Sequence, residues 1–225
     1  LNEIKDRLRE VYDIERIVSR ISNGNSNGRD LVALKNSIRE IPGLKVVLEN
    51  TGLDHFIKLQ GEMDGLNDIH ELLDAAILDN PPLTIKEGGI IKEGYNSELD
   101  ELKHARSKGK QWLSKLESDE KKSTGIKTLK VGYNRVMGYY IDVTKTNINL
   151  VPPHYIRKQT LANSERYYTE DLKSMEEKIL GAEEKSIKLE YEIFQEIRET
   201  IKKNINRLQK TGKLLAYLDV ILSFS

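Results

Sequence analysis

The sequence contains no cysteine among its 225 residues, and it has no long apolar run. Without cysteine the chain has neither disulfides nor thiol chemistry, a composition that is compatible with a reducing compartment. Its longest apolar stretch, residues 214–224, is shorter than a bilayer span and contains Asp219, so we expect no membrane-spanning helix. Residues 1–20 are charged throughout, which does not match a signal peptide.

Residue groups that would indicate catalysis are also missing. The four histidines, at 55, 70, 104 and 154, are too dispersed for a metal motif. The acidic residues beside His104 are better explained as a salt-bridged helix surface. The glycines of residues 22–28 lack the Lys-Ser/Thr ending of a phosphate-binding loop. We therefore expect no catalytic residue, no cofactor, no metal site and no enzyme activity in this chain.

The chain has no excess of either charge overall, but positive charge is concentrated in one segment. The chain has 36 Lys and Arg against 36 Asp and Glu, so its formal net charge is zero. Residues 124–168 contain seven cations against two acids, a net charge of +5, and the remainder therefore carries −5. Local positive charge attracts a polyanion even when the whole protein is neutral.

Hydrophobic spacing predicts a mainly α protein with a small β module. Residues 1–96 predict a helical core, in which one helix begins near Arg29 and ends at Pro42 and Gly43. Residues 97–123 predict one long helix. Residues 169–211 predict another, about 60 Å long, with apolar side chains every three or four positions. These narrow apolar stripes require a partner, so we expect the two long helices to pack antiparallel.

The segment between the long helices predicts β structure. Residues 126–134 and 139–147 flank the turn 135–138 like a hairpin, and residues 155–163 predict a third strand. Strand alternation then puts Lys158 on one face and Arg157 and Gln159 on the other. Cations and amides here are the usual donors to phosphate oxygens, which position a protein without reading base sequence. Ordinary solubilising lysines on a small sheet remain an alternative.

Two motifs, "GYYIDVTK" and "RKQTLANSERY", resemble the lever and clamp region of the MutS family of DNA mismatch-recognition proteins. Residues 11–44 resemble the core domain of that family. The resemblance implies a helical core bundle, long antiparallel lever helices and a small antiparallel β-sheet clamp inserted at their tip. The implied domains are part of the core at 1–96, the outgoing lever at 97–123, the clamp at 124–168, the returning lever at 169–211 and a truncated return to the core at 212–225.

The resemblance also implies a function and partners. In this family the clamp contacts the backbone of double-stranded DNA without sequence preference, and the levers transmit motion between the clamp and an ATPase domain. We expect this chain, which begins with Leu1 and ends in an apolar segment, to be a fragment without that ATPase. ATP and Mg, a second subunit and the mismatch-repair partner MutL would then belong to the parent protein, in the cytoplasm at the nucleoid. No membrane partner is implied.

Family positions that face phosphates carry over to Asn134, Lys158 and Asn163, with Arg166 just beyond them. Ala162 stands where some members have a lysine, and Arg135 or Lys145 are candidates to replace that charge. The alternative to DNA binding is a coiled-coil arm whose tip serves for protein dimerisation and binds no DNA.

Overall fold

The computed structural model describes residues 2–224, and it divides into two compact units. The first unit runs up to Tyr95 and resumes at Ile187, and the second unit is Asn96–Ser186. The first is helical, and the second combines helix with one four-stranded antiparallel sheet. The predicted fold class is confirmed. None of the helices in the described residues has both the length and the apolar composition needed to span a bilayer.

The helices are α1 (Asn2–Arg9), α2 (Ile14–Ser22), α3 (Gly28–Asn50), α4 (Asp54–Glu62), α5 (Asn67–Ala76), α6 (Ser97–Thr124), α7 (Glu170–Lys203) and α8 (Ile205–Ser223). The strands are β1 (Lys130–Asn134), β2 (Gly138–Thr144), β3 (Ile156–Thr160) and β4 (Ser164–Tyr168). Two 3₁₀ turns cover Ile85–Glu87 and Lys145–Leu150.

Helix α3 continues through Pro42, so the predicted end of a helix at that residue is wrong. Its fully buried side chains keep the same spacing on both sides of the proline, at Ile38, Ile41, Leu44 and Leu48. Pro42 itself is exposed. Burial of this continuous stripe outweighs the single hydrogen bond that proline removes.

In the first unit, a carboxylate of α7 holds the segment that precedes α6. The Glu190 side chain accepts the backbone N–H groups of Gly89, Ile90 and Ile91 at 2.6, 2.9 and 2.7 Å, and the residue is 2% exposed. Residues 86–96 form part of a 3₁₀ turn and one isolated bridge from Ile91 to Ile77. Glu190 supplies the acceptors that a strand partner would otherwise provide.

In the second unit, α6 and the first half of α7 pack antiparallel, as predicted. Arg106 of α6 forms an ion pair with Glu183 of α7 at 2.7 Å. One turn further along α6, Gly109 lies so close to Ile179 that an added Cβ would be 2.3 Å from its Cγ1. Residue numbers rise along one helix as they fall along the other, which defines the antiparallel direction. Glycine at this point permits the close approach.

The return helix is interrupted, whereas the sequence predicted one continuous helix to about residue 210. Helix α7 ends at Lys203 and α8 begins at Ile205. Arg207, in the first turn of α8, forms ion pairs with Asp64 and Asp68 at 2.7 Å each. It also donates to the Asn204 side chain at 3.0 Å. These contacts hold the start of α8 against the connection between α4 and α5.

The sheet has four strands in the order β1-β2-β4-β3, all antiparallel, rather than the predicted three. Residues 155–163 do not form one strand. They contain β3 and the turn that leads into β4, closed by a hydrogen bond from Leu161 N to Ser164 O at 2.9 Å. One face of the sheet packs on both long helices, with Ile141, Val143 and Tyr167 against Leu113 and Leu172.

A bulge in β3 overturns the predicted alternation of its side chains. Arg157 pairs with Tyr167 and Gln159 pairs with Arg166, so Lys158 is an extra residue between two consecutive positions of β4. Arg157 and Gln159 therefore lie on opposite faces rather than on the same face. The Lys158 ammonium lies 5.5 Å from the centroid of the Tyr168 ring.

Candidate nucleic-acid interface

The sheet presents two ends to solvent, each of which holds two of the six predicted site residues, while the other two, Lys158 and Arg166, lie on strands. We call residues 134–138, between β1 and β2, the hairpin end. The threonine end comprises Thr128, residues 144–147 and the β3–β4 turn at 161–163. Strand β2 connects the two ends, and its seven residues separate them by about 20 Å. Asn134 and Arg135 therefore cannot contact the same phosphate as Lys145 and Asn163.

At the hairpin end, Asn134 has a structural role. Its side-chain oxygen accepts the backbone N–H groups of Val136 at 2.8 Å and Met137 at 3.3 Å, which fixes the turn. Gly138 follows with φ at +74°, and the Glu176 carboxylate of α7 accepts the N–H of Tyr139 beside it. Arg135 is exposed, but a carboxylate lies close to this end of the sheet.

Arg166 is bound within the sheet, on the face away from the helices. It donates to the Gln159 side chain at 3.0 Å, and its Nε lies 3.6 Å from the Asp142 carboxylate. Its guanidinium also stacks 4.2 Å from the centroid of the Tyr140 ring. The ring lies across Gly132, where an added Cβ would be 2.7 Å from it. Arg166 thus stabilises the outer face of the sheet.

Lys158 is exposed on β3, which is an edge strand. Its neighbour Arg157 forms an ion pair with Glu165 at 3.6 Å on the core side. Glu165 also accepts a hydrogen bond from the Tyr167 hydroxyl. Burial, followed by this hydrogen bond, raises the pKa of Tyr167 to about 12. The bulge therefore separates Arg157, which is paired with a buried glutamate, from Lys158, which has no carboxylate beside it in its own strand.

The threonine end brings together Lys145 and Asn163, which are 18 positions apart in the sequence. The backbone N–H of Lys145 donates to the Asn163 carbonyl at 3.0 Å, and both residues are exposed. Two loops thereby bring the main chains of a lysine and an asparagine together at the same end of the sheet. Both residues were predicted site residues, and the structure places them next to each other.

A network of hydroxyl groups surrounds this pair, and sequence reasoning missed it. The Asn147 amide donates at 3.0 Å to the hydroxyls of both Thr128 and Thr144. The Thr144 hydroxyl lies 3.3 Å from that of Thr128 and 3.2 Å from that of Thr146. The signal in the sequence was the run "TKTN" at 144–147, in which short polar side chains flank a lysine. Hydroxyl and amide groups of this kind donate to phosphate oxygens.

Charge also distinguishes the threonine end from the hairpin end. The segments 126–131 and 143–164 contain five Lys and Arg residues and no Asp or Glu. The carboxylates nearest along the chain, Asp142 and Glu165, are held by Arg166 and by Arg157. With Arg157 paired to Glu165, four lysines remain at and around the threonine end, at positions 127, 130, 145 and 158, and this local positive charge favours an anionic partner.

Two glutamates of α6 hold the sheet in position. Glu117 accepts the N–H of Val131 at 2.9 Å, and Glu120 accepts the Tyr155 hydroxyl at 2.7 Å. A hydrogen bond from Lys121, with that from Val131, lowers the pKa of Glu117. Burial, with the bond to Glu120, raises the pKa of Tyr155. The sheet is thus attached to α6 through side chains as well as through the connecting chain.

Sequence comparison identifies the family to which this chain is similar. The MutS family domain IV matches residues 94–185, which include α6, the whole sheet and the first half of α7. The DNA mismatch repair protein MutS of Clostridium tetani (strain Massachusetts / E88) is 53% identical over 224 residues, which is 99% of this chain. The MutS of Clostridium botulinum (strain Hall / ATCC 3502 / NCTC 13319 / Type A) is 52% identical over the same length. The chain belongs to the MutS family.

The chain spans only about a quarter of the length of these MutS relatives, 25% and 24% respectively. The MutS domain IV match includes both ends of the sheet, so the family assignment does not by itself select one of them. The alternative reading, a coiled-coil arm with a dimerisation tip, finds no support in these matches.

Proposed function

We propose that this segment of a DNA mismatch repair protein binds the backbone of double-stranded DNA without sequence preference, through the threonine end of its sheet. The observation that carries the proposal is the juxtaposition of Lys145 and Asn163 beside four hydroxyl and amide side chains. Such donors fix a protein on phosphate oxygens but carry no information about the bases.

The proposal revises the set of DNA-contacting residues expected from the family. Lys145 and Asn163 contact phosphate, and Lys158 contributes positive charge from the neighbouring edge strand. Asn134 and Arg166 instead support the sheet, Asn134 through its side-chain oxygen in the turn and Arg166 through its bond to Gln159. Arg135, about 20 Å away, is outside the proposed contact.

In the longer protein, we propose that α6 and α7 act as levers between the DNA-binding sheet and the helical core. Helix α7 is continuous over 34 residues, about 50 Å, so rotation of one end moves the other over a long distance. A second MutS subunit and MutL are the partners we assign to that protein, in the cytoplasm at the nucleoid. ATP and Mg belong, in this proposal, to parts outside the present chain, and this segment has no catalytic role.

The test is a salt titration of DNA binding measured by fluorescence anisotropy of a labelled duplex. Two phosphates neutralised by Lys145 and Lys158 give a slope of log affinity against log salt of roughly −2. Lys145→Ala should reduce this slope by about 0.9, because one phosphate contact is lost. Asn163→Ala should weaken binding with little change in slope, since an uncharged amide releases no counterion.

Arg135→Ala is the matched control, because it removes one exposed cation from the hairpin end of the same sheet. It should leave the slope within error of the wild type. Equal effects of Lys145→Ala and Arg135→Ala would show that only total charge matters and would refute the assignment to the threonine end. Self-association of the chain in sedimentation without any DNA affinity would instead favour the dimerisation arm.

A further inference from the structure

Arg198 of α7, in the first unit, is a buried cation that no protein group neutralises within residues 2–224. The residue is 9% exposed, and its Nε is buried without a hydrogen-bond acceptor. None of the ion pairs formed by the described residues includes its guanidinium, which lies 6.0 Å from the Phe194 ring centroid. An arginine that is nine-tenths buried and has no carboxylate beside it among the described residues loses hydration without gaining an ion pair, so this side chain is suited to bind an anion.

The guanidinium is directed at the loop that connects α2 and α3, residues 23–27. Gly24 in this loop has φ at +73°, and a Cβ added there would lie 3.0 Å from Nη2 of Arg198. Glycine therefore allows the cation to approach the loop backbone closely. The loop itself is exposed on both sides of this contact, at Asn23 and Asn25. Gly24 is exposed as well, so a ligand from solvent can reach the loop at the residue that Arg198 approaches.

A buried donor without an acceptor lies in the same loop. The Ser26 hydroxyl is buried, and the described part of the chain supplies it with no hydrogen-bond partner. The backbone N–H groups of Asn23, Gly24 and Asn25 are all bonded to carbonyls of α2. Arg20 also reaches the loop, where it donates to the Asn25 carbonyl at 3.4 Å, but its guanidinium is ion-paired with Asp30 at 3.1 Å. The Ser26 hydroxyl is therefore an unused donor of this loop.

We propose that Arg198, with Ser26 and the 23–27 loop, forms an oxyanion-binding site in the helical core. Guanidinium and hydroxyl groups together bind phosphate or carboxylate oxygens, and guanidinium binds them more strongly than a neutral donor does. The occupant is a phosphoryl group or a carboxylate, which share this chemistry. The site lies in a different unit from the sheet, so it does not depend on the proposed DNA contact.

Thermal unfolding with three anions tests the site and identifies its class of ligand. Phosphate, sulfate and acetate are compared with chloride at constant ionic strength, using the 225-residue chain. An anion at ten times its dissociation constant should raise the Tm by about 3–5 °C. A shift with phosphate and sulfate alone identifies a tetrahedral oxyanion, and an equal or larger shift with acetate identifies a carboxylate. No anion-specific shift overturns the proposal.

Variants distinguish the site from general anion effects. Arg198→Gln should abolish the anion-dependent shift, and Ser26→Ala should reduce it. In chloride alone, Arg198→Gln should leave the Tm unchanged or raise it, because it removes an uncompensated buried charge. A lower Tm in chloride would show that Arg198 has an internal partner and would contradict the inference. Arg29→Gln, an exposed cation just beyond the loop, is the control and should retain the full shift.

Discussion

Glu190 provides the sharpest test of how the first unit is held together. Its carboxylate accepts three consecutive backbone N–H groups, and two of them, from Ile90 and Ile91, bond to the same oxygen, Oε1. In Glu190→Gln the amide oxygen can keep those two bonds. The new NH₂ group would then face the N–H of Gly89, which loses its acceptor. Both groups are donors, so the substitution replaces a charge-assisted bond with a repulsive contact.

The expected cost follows from that single lost bond. A hydrogen bond to a charged acceptor contributes about 1.5–3 kcal/mol, so Glu190→Gln should lower the free energy of unfolding by about 2 kcal/mol. For a chain of this length the Tm should fall by about 4–8 °C. Glu190→Ala leaves three buried donors without an acceptor and should cost about 4 kcal/mol or more.

Two measurements check this prediction. Calorimetry gives the Tm, and hydrogen exchange should show the amides of residues 89–91 exchanging roughly 30-fold faster in Glu190→Gln, as 2 kcal/mol implies. Glu192→Gln is the control, since its side chain is 55% exposed and lies 4.0 Å from Lys188, and it should change stability by less than about 0.5 kcal/mol. Equal Tm values for the two glutamine variants would refute the reasoning.

Two further substitutions test the packing of the long helices and the ion pairs of α8. In chemical denaturation, Gly109→Ala should lower the free energy of unfolding by about 1–3 kcal/mol, because the added Cβ would lie 2.3 Å from a buried isoleucine of α7. The control is Gly181→Ala, which has open space around it and should stabilise the helix slightly. An equal effect of the two would contradict the close contact. Hydrogen bonds from Arg207 lower the pKa values of Asp64 and Asp68 in the folded state. The two ionised carboxylates therefore stabilise the fold above about pH 4, and this stabilisation is lost as the pH falls through their lowered folded-state pKa values. The Tm difference between wild type and Arg207→Gln should therefore shrink from pH 7 to pH 2. A difference that stays constant would contradict the stabilising role of these ion pairs.

Helix and strand types followed from the sequence wherever the pattern was long. The apolar stripes of α6 and α7 predicted both helices and their antiparallel packing, because a narrow apolar stripe has to be buried against a similar stripe on a partner helix. The exceptions were features that depend on neighbours distant in the chain. Pro42 remains inside α3 because the buried stripe continues beyond it, and α8 separates from α7 where Arg207 meets Asp64 and Asp68.

In the sheet, too, the local pattern was predictable from the sequence, whereas features that depend on a neighbouring strand were not. A period of two predicted that 155–163 is extended, but it did not reveal the bulge at Lys158 or the fourth strand. A bulge is set by pairing with the neighbouring strand, and the sequence of one strand does not contain that pairing.

By itself the sequence determined that a basic, amide-rich module stands between two long helices, and its motifs identified the MutS family. Only the tertiary structure decided which of those cations are open to a partner. Arg166 and Lys145 are equivalent by charge and composition, yet one is bonded to Asp142 and Gln159 across the strands and the other lies beside Asn163 at the threonine end. The physical reason is that a side chain's availability depends on what lies across the strand or loop from it. Those neighbours are brought together only by folding.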